Sequence, residues 1–424
     1  MTAQPAPMGI RDVLRIRDYR YLFAGQVVSD IGDGITLLLV LLVINDLTGS
    51  TAALALMAIA EAVPAFTVGL FAGVYVDRWD RRRIMLASDL LRAVIVLAFA
   101  FVQTSALLPL FYVLGFTQAS IATFFRPARG AMLPHVVPTA GLPAANSLAT
   151  ASQVIGNLIG AGAAGVLFGL FGSGVIGFAI DSATFVISFL LISRISRTAG
   201  VIDRTPGVTT RDGVGASVLE GLRIIRGSRV LLGIVMAVGV TMLGLGAVNV
   251  LFVPLVVNEL AVSPTWMAGI DGAQTAGMLM AAGLVTTLAR RLSPTTIISL
   301  GLLGIGVSIG LVSGVREIWQ VLPILLAVGL FVTPLQAMVQ TIVQTSTRDA
   351  TRGRVVSVVQ AAMSTASVTS MAIGGVLGAI IDIRAVFLVA GVVVVLAAGL
   401  SALMFRGISG RPAPSELTAE IEAA

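Results

Sequence analysis

Apolar positions in this chain come in long blocks rather than in the alternating stripes of a soluble amphipathic helix, and each block ends in charge, proline or glycine. At 1.5 Å per residue, about 20 apolar residues cross a bilayer core as a helix. That measure predicts an all-α membrane protein with twelve transmembrane helices. They fall near 21–44, 53–76, 84–102, 107–125, 144–170, 174–193, 230–256, 264–288, 294–313, 319–343, 355–380 and 385–405. The expected domains are a six-helix half over 1–193, a cytoplasmic linker over 194–229, a second six-helix half over 230–406 and a disordered cytoplasmic tail over 407–424. Within the linker, Leu219, Leu222 and Ile225 share a face opposite Glu220, Arg223 and Arg226, the pattern of a short helix lying on the inner leaflet.

Composition narrows the function. Of 424 residues, 57% are hydrophobic and 11% charged, which places the chain with polytopic membrane proteins. There is no cysteine and one histidine, His135, read as an ordinary loop residue. That inventory supplies neither a thiolate or histidine metal cluster nor a Ser/His triad, so the expectation is no enzyme, no metal and no cofactor. There is no P-loop for ATP. The net charge of +6 does not point to nucleic acid, because the arginines sit between apolar blocks and not on one soluble face. All 27 basic residues are arginine, and 24 of them fall on one side if the N-terminus is inside; Arg316 and Arg384 lie in outer loops and Arg92 within the third span. By the positive-inside rule both termini are cytoplasmic, in the cell membrane of a prokaryote, and the N-terminus reads as a cytoplasmic start without a signal-peptide core.

The two halves repeat. A shift of 210 residues carries Gly73 onto Gly283, Arg81 onto Arg291, Ser147 onto Ser357 and Gly165 onto Gly375, and superposes the expected spans. Between the second and third spans stands "GVYVDRWDRRR", residues 73–83. With the repeat, it resembles the helix 2–3 loop signature of the major facilitator superfamily. The resemblance implies a cytoplasmic gate latch of Gly73, Asp77, Arg78, Arg81 and Arg82, with Asp77 facing a helix N-terminus in the other half. Topology alone, a stop signal whose arginines reach lipid phosphates, is the plainer reading. The stretches "FFRPARGAMLPHVVPTAGLPAANSLATASQVIG", 124–156, and "GFAIDSATFVISFLLI", 177–192, resemble the macrolide-efflux and multidrug exporter branch. Gly156-Asn157 stands where exporters of that branch often carry Gly-Pro.

Ionisable groups inside a span cost about 2.5–3.5 kcal/mol each on insertion scales, so each needs a reason. Gln26, Asp30 and Asp33 share one face of the first span, and Asp33 lies near mid-membrane. Asp33, Asp30 and Glu61, the last three residues before Pro64, are the candidates for proton coupling; helix-to-helix hydrogen bonding is the bland alternative. Gln26, Phe116, Gln336, Gln340 and Asp271 are candidates for a substrate cavity. For Phe116 and Phe124 core packing is the competing role, and for the Gln336, Gln340 and Gln344 stripe an inter-half seam. Asp181 reads as a structural acceptor, and Asp89 and Arg92, three apart, as mutually neutralising.

These residues predict a secondary active transporter working by alternating access and exporting amphipathic small molecules or drugs in exchange for protons. A siderophore or lipid-like metabolite transporter is the alternative within transport, and a non-transporting receptor or scaffold the alternative outside it. The expected partners are a small-molecule substrate, protons and the lipid bilayer, with the protein a monomer and no nucleic acid.

Overall fold

The computed structural model describes residues 8–76, 79–196, 214–347 and 349–405. Every regular element among them is helical: α1 (Ile10–Arg15), α2 (Arg17–Thr48), α3 (Thr51–Thr67), α4 (Gly69–Val76), α5 (Arg81–Phe99), α6 (Leu108–Val136), α7 (Leu142–Phe171), α8 (Val175–Ser193), α9 (Val214–Gly227), α10 (Arg229–Pro254), α11 (Trp266–Arg291), α12 (Pro294–Val312), α13 (Ile318–Thr345), α14 (Asp349–Ile380) and α15 (Ile383–Met404). Among the described residues, nine helices are long and apolar enough to cross a membrane.

Helix ends follow the local chemistry. Ser50, Asp80 and Ser293 cap α3, α5 and α12 by accepting from backbone N–H groups three residues on, at 3.3, 3.1 and 3.2 Å. Gly49 and Gly172 close α2 and α7 in the left-handed conformation, with φ of 61° and 59°. The segment expected as one span over 53–76 is interrupted at Val68, one turn after Pro64, and continues as α4.

The chain divides into two compact units, Met1–Gly207 with Ala261–Asp271, and Val208–Leu260 with Gly272–Ala424. In the first, α2 packs on α7 and α8, and α5 on α6 and α8. The α2–α7 contact is a backbone approach. A Cβ added to Gly156 would stand 2.7 Å from the Asp30 Cβ, and one added to Gly160 would strike the Ile31 carbonyl. Phe99, Phe111 and Phe178 form one buried ring cluster with centroids 4.7–6.2 Å apart.

In the second unit α10, α12, α13 and α15 enclose a core around Ile234, Leu251, Leu302, Phe387 and Val394, and α14 packs against it. Ser370 of α14 inserts into the α10 ladder: its hydroxyl donates to the Leu243 carbonyl and accepts from Ala247 N–H at 2.9 Å. Gly246 leaves the room for it. The linker helix α9 is corrected in its role. Its apolar positions Leu222 and Ile225 pack with Leu231, Val343, Val355 and Val359, so that face covers protein, while Leu219 is exposed. The expected tail, 407–424, lies outside the described residues.

Candidate functional site

Four long helices and α3 of the first unit enclose a cavity of ≈ 230 Å³ whose walls are unusually polar for this chain. From α2 come Gln26, Ser29, Asp30, Asp33 and Thr36; from α3, Glu61; from α5, Arg92; from α6, Gln118, Arg126 and Arg129; from α7, Gln153 and Asn157. The expected face of the first span therefore does line a cavity, and Glu61 joins it.

Each carboxyl is held differently. Asp33 is ion-paired to Arg92, whose guanidinium stacks on the Phe185 ring 4.1 Å from its centre. The arginine is almost wholly buried and the aspartate about one-third exposed to the cavity. Asp30 accepts from Ser152 Oγ at 2.7 Å, a reach made possible by the glycine contact of α7 on α2. With its amide oxygen turned towards Arg129, the orientation that satisfies both groups, Gln26 accepts from Arg129 Nε at 3.0 Å, and the guanidinium lies in the cavity beside Asp30. Glu61 makes no hydrogen bond or ion pair among the described residues and sits against Gly115 of α6. Asp181 is fully buried and accepts from Thr36 Oγ1 at 2.5 Å and Thr184 Oγ1 at 2.9 Å. Gly32 makes space for it, since a Cβ there would strike both the Asp181 carboxyl and the Thr184 hydroxyl. That agrees with a structural acceptor.

Three readings need correcting. Asp89 and Arg92 form no ion pair: Arg92 turns to Asp33, and Asp89, fully buried, stays close to Arg92 and Ser188 without a well-formed hydrogen bond at either oxygen. Arg126 and Arg129, expected in a loop, belong to α6, which runs through Pro127 and Pro134 to Val136 and brings both side chains to the cavity. Their spacing of three, continuing the face of Phe125 and Ala122, was the available signal. His135 stands in the last turn of α6, not in a loop, with Arg81 Nη1 3.1 Å from its Nδ1.

The remaining candidates are not among the residues that line this cavity. Phe116 is partly exposed on α6 and does not line it; Phe124 packs near Tyr75, with ring centres 6.4 Å apart. Asp271 lies in the first turns of α11, partly buried and without a hydrogen bond among the described residues. Gln336 and Gln340 are exposed on one face of α13, away from the buried Leu335, Met338 and Ile342. Of the latch residues, Gly73 is in α4, while Asp77 and Arg78 lie outside the described residues. Arg81 donates to the Ala131 carbonyl at 3.0 Å and Arg82 to that of Ser193, the last residue of α8, at 2.5 Å. Both thus place cations at helix C-terminal ends, the favourable pole of the dipole.

The chain matches the transmembrane secretion effector family over residues 12–410. It is 28% identical over 401 residues to YfiS of Bacillus subtilis, an uncharacterized MFS-type transporter, covering 92% of this chain and 93% of that one. With the multidrug efflux pump Tap of Mycolicibacterium fortuitum it shares 32% identity over 216 residues, 48% of this chain and 51% of the pump. With macrolide efflux protein A of Streptococcus pyogenes it shares 26% over 237 residues, 55% and 57% of the two chains. In fold it is similar to a bacterial homologue of the iron transporter ferroportin in an inward-facing state, at a TM-score of 0.73 and 15% identity over 92% of this chain and 99% of that one. These matches agree with the resemblance carried by residues 73–83 and 124–192. The chain is a multi-pass membrane transporter that belongs to the transmembrane secretion effector family of the major facilitator superfamily.

Proposed function

We propose that this protein exports amphipathic small molecules by alternating access, in exchange for protons. The observation that carries the reading is the cavity itself: three carboxyls and three arginines gathered on the helices of one unit, with Asp33, Glu61 and Arg92 inside the spans, where ionisable groups are costly. Glu61, with no fixed partner, and Asp33, released when Arg92 is drawn away, are the carboxyls able to exchange a proton with the cavity. A substrate rich in hydrogen-bond donors or carrying positive charge competes with the proton for the same carboxyl, which is the simplest form of antiport. Gln118, Gln153 and Asn157 offer neutral hydrogen bonds to its polar groups, and Leu37 and Phe125 an apolar surface. The efflux activity of the multidrug and macrolide relatives supports export as the direction.

Alternating access rests on two six-helix halves, and the helix bounds favour that plan. Adding 210 to the bounds of α6, Leu108–Val136, gives 318–346, against Ile318–Thr345 for α13; the same shift takes α8, Val175–Ser193, to 385–403, against Ile383–Met404 for α15. On this plan α3 and α4 together form the second of twelve spans, both termini are cytoplasmic, and the 73–83 loop latches the cytoplasmic side when the cavity is open outward. Reconstitution into liposomes with an imposed pH gradient, run over a panel of macrolides, cationic dyes and neutral amphiphiles, tests the function. Substrate accumulation that follows the gradient and collapses with a protonophore is the expected result. Transport indifferent to pH across the whole panel would overturn proton exchange.

A further inference from the structure

Asp89 has no part in the cavity. It lies on α5, wholly buried, and neither carboxyl oxygen accepts a well-formed hydrogen bond. Its polar neighbours are Ser188 of α8, whose buried hydroxyl stands beside the carboxyl, and Arg92, one turn further along α5. A buried carboxylate held by no ion pair is disfavoured in its charged form relative to its neutral one. Arg92 shares its helix face at a spacing of three, which is contact distance for side chains. Yet Arg92 points across to Asp33 of α2, lies over the Phe185 ring, and leaves its own Nε unbonded.

We infer that Asp89 is a second, occluded carboxyl for Arg92, and that the guanidinium exchanges between Asp33 and Asp89 as the cavity-facing carboxyl gains and loses a proton. The inference rests on the transport reading only for its purpose, not for its chemistry. In the first state Asp33 is ionised and paired with Arg92, and Asp89 is neutral. In the second Asp33 is neutral and faces the cavity, and the ionised Asp89 holds Arg92. One O–H bond breaks at Asp89 and one forms at Asp33, so the three groups hold one proton and no net charge in both states. No uncompensated charge is ever buried, which is what makes the exchange feasible inside a membrane. Asp33 is thereby released from Arg92 and can pass its proton to the cavity, after which a substrate can take the carboxylate, while the negative charge that pairs Arg92 is held on Asp89 of α5.

The charged groups around the pair are few. From α2 there is Asp33, with Asp30 one turn towards Arg129; from α8 there is Asp181, already accepting from two hydroxyls; from α6, Arg126 and Arg129 lie at the Asp30 end of the cavity. From α3, Glu61 lines the same cavity, so Asp181 and Glu61 are the rival partners for Arg92 among the described residues.

Infrared difference spectroscopy of the purified full chain in lipid vesicles, without any substrate, tests the exchange. The wild type at neutral pH should show a protonated-carboxyl band that disappears in Asp89→Asn and so belongs to Asp89. The deciding variant is Asp33→Asn, an isosteric change at a cavity wall. There Arg92 has lost its first partner, Asp89 should ionise to take it, and the Asp89 band should be lost at the same pH. An Asp89 band that survives in Asp33→Asn overturns the inference, as does a wild type in which no band is lost with Asp89. If Asp89→Asn does not fold, Asp89→Glu makes the assignment by displacing the band instead of removing it. Failure to find a transported compound would defeat the proposed function and leave this result standing.

Discussion

At the level of single residues, the carboxyls of the first unit stand in different settings, and their partners set what each can do. Asp181 has two hydroxyl donors and no exposure, so it fixes α8 on α2. Asp181→Ala leaves Thr36 without its acceptor and should cost about 1–3 kcal/mol, the usual penalty for an unsatisfied buried group, read as a lower unfolding temperature in detergent. Asp181→Asn should change pH-driven transport little. Asp33 differs because it faces the cavity: Asp33→Asn should abolish pH-driven transport while a bound compound is retained and its binding loses pH dependence. Glu61→Gln belongs in the same assay, since Glu61 is the rival with no partner to hold its charge. An Asp33→Asn protein that still concentrates substrate normally would remove Asp33 from coupling. The sequence made Gln26, Asp30, Asp33 and Glu61 legible because charge inside an apolar block is conspicuous and helical spacing assigns it a face. It could not show that Arg92 prefers Asp33 over Asp89, three residues away, since that choice depends on how α2, α5 and α8 pack.

At the level of elements, proline and glycine carried the information and were read with unequal success. Pro127 and the charges beside it suggested the end of the fourth span, yet α6 continues for several turns because a helix running out of the membrane can hold arginines at its polar end. The error hid Arg126 and Arg129 from the site. Glycine does the packing: Gly156 and Gly160, within the glycine-rich run 156–165, bring the α7 backbone onto α2. Gly160→Val should therefore be costly, about 1–3 kcal/mol by overpacking, and should also part Asp30 from Ser152. The expected outcome is a lower unfolding temperature together with weakened substrate binding; Gly130→Ala, where an added Cβ meets nothing within 4 Å, is the matched control. A Gly160→Val protein as stable as the wild type would show that the α2–α7 seam tolerates a larger spacing than its backbone contact suggests. The amphipathic pattern of α9 was legible as a helix but not as to what it covers, because lipid and protein present the same apolar surface to Leu222 and Ile225.

At the level of the whole molecule, hydropathy and the shift of 210 residues argue for the proposed twelve-span plan, and two experiments bear on it. If the chain spans the membrane twelve times, reporter tags at both termini should read cytoplasmic and a tag after Ser313 should read outside; an inside reading at Ser313 would break the twelve-span map. The second concerns the 73–83 loop. Its copy at 283–293 keeps Arg290 and Arg291 but has no acid, so topology alone does not explain Asp77. Arg81 and Arg82 already have partners at the ends of α6 and α8, which fixes the start of α5 and with it the position from which the loop departs. A carboxylate at the N-terminal end of a helix contributes about 0.3–2 kcal/mol, enough to move a near-balanced equilibrium between open states several-fold. Asp77→Asn should therefore shift the protein towards the inward-open state, with slower transport and unchanged folding. Single cysteines placed on the cytoplasmic ends of helices in this cysteine-free chain report the shift as faster labelling by a water-soluble maleimide. Arg78→Ala separates the two readings of the loop: a pure positive-inside signal responds to the loss of an arginine through misinsertion, whereas a latch responds to the loss of the acid through accessibility. If labelling rates in Asp77→Asn match those of the wild type while transport falls, the acid acts on something other than the gate.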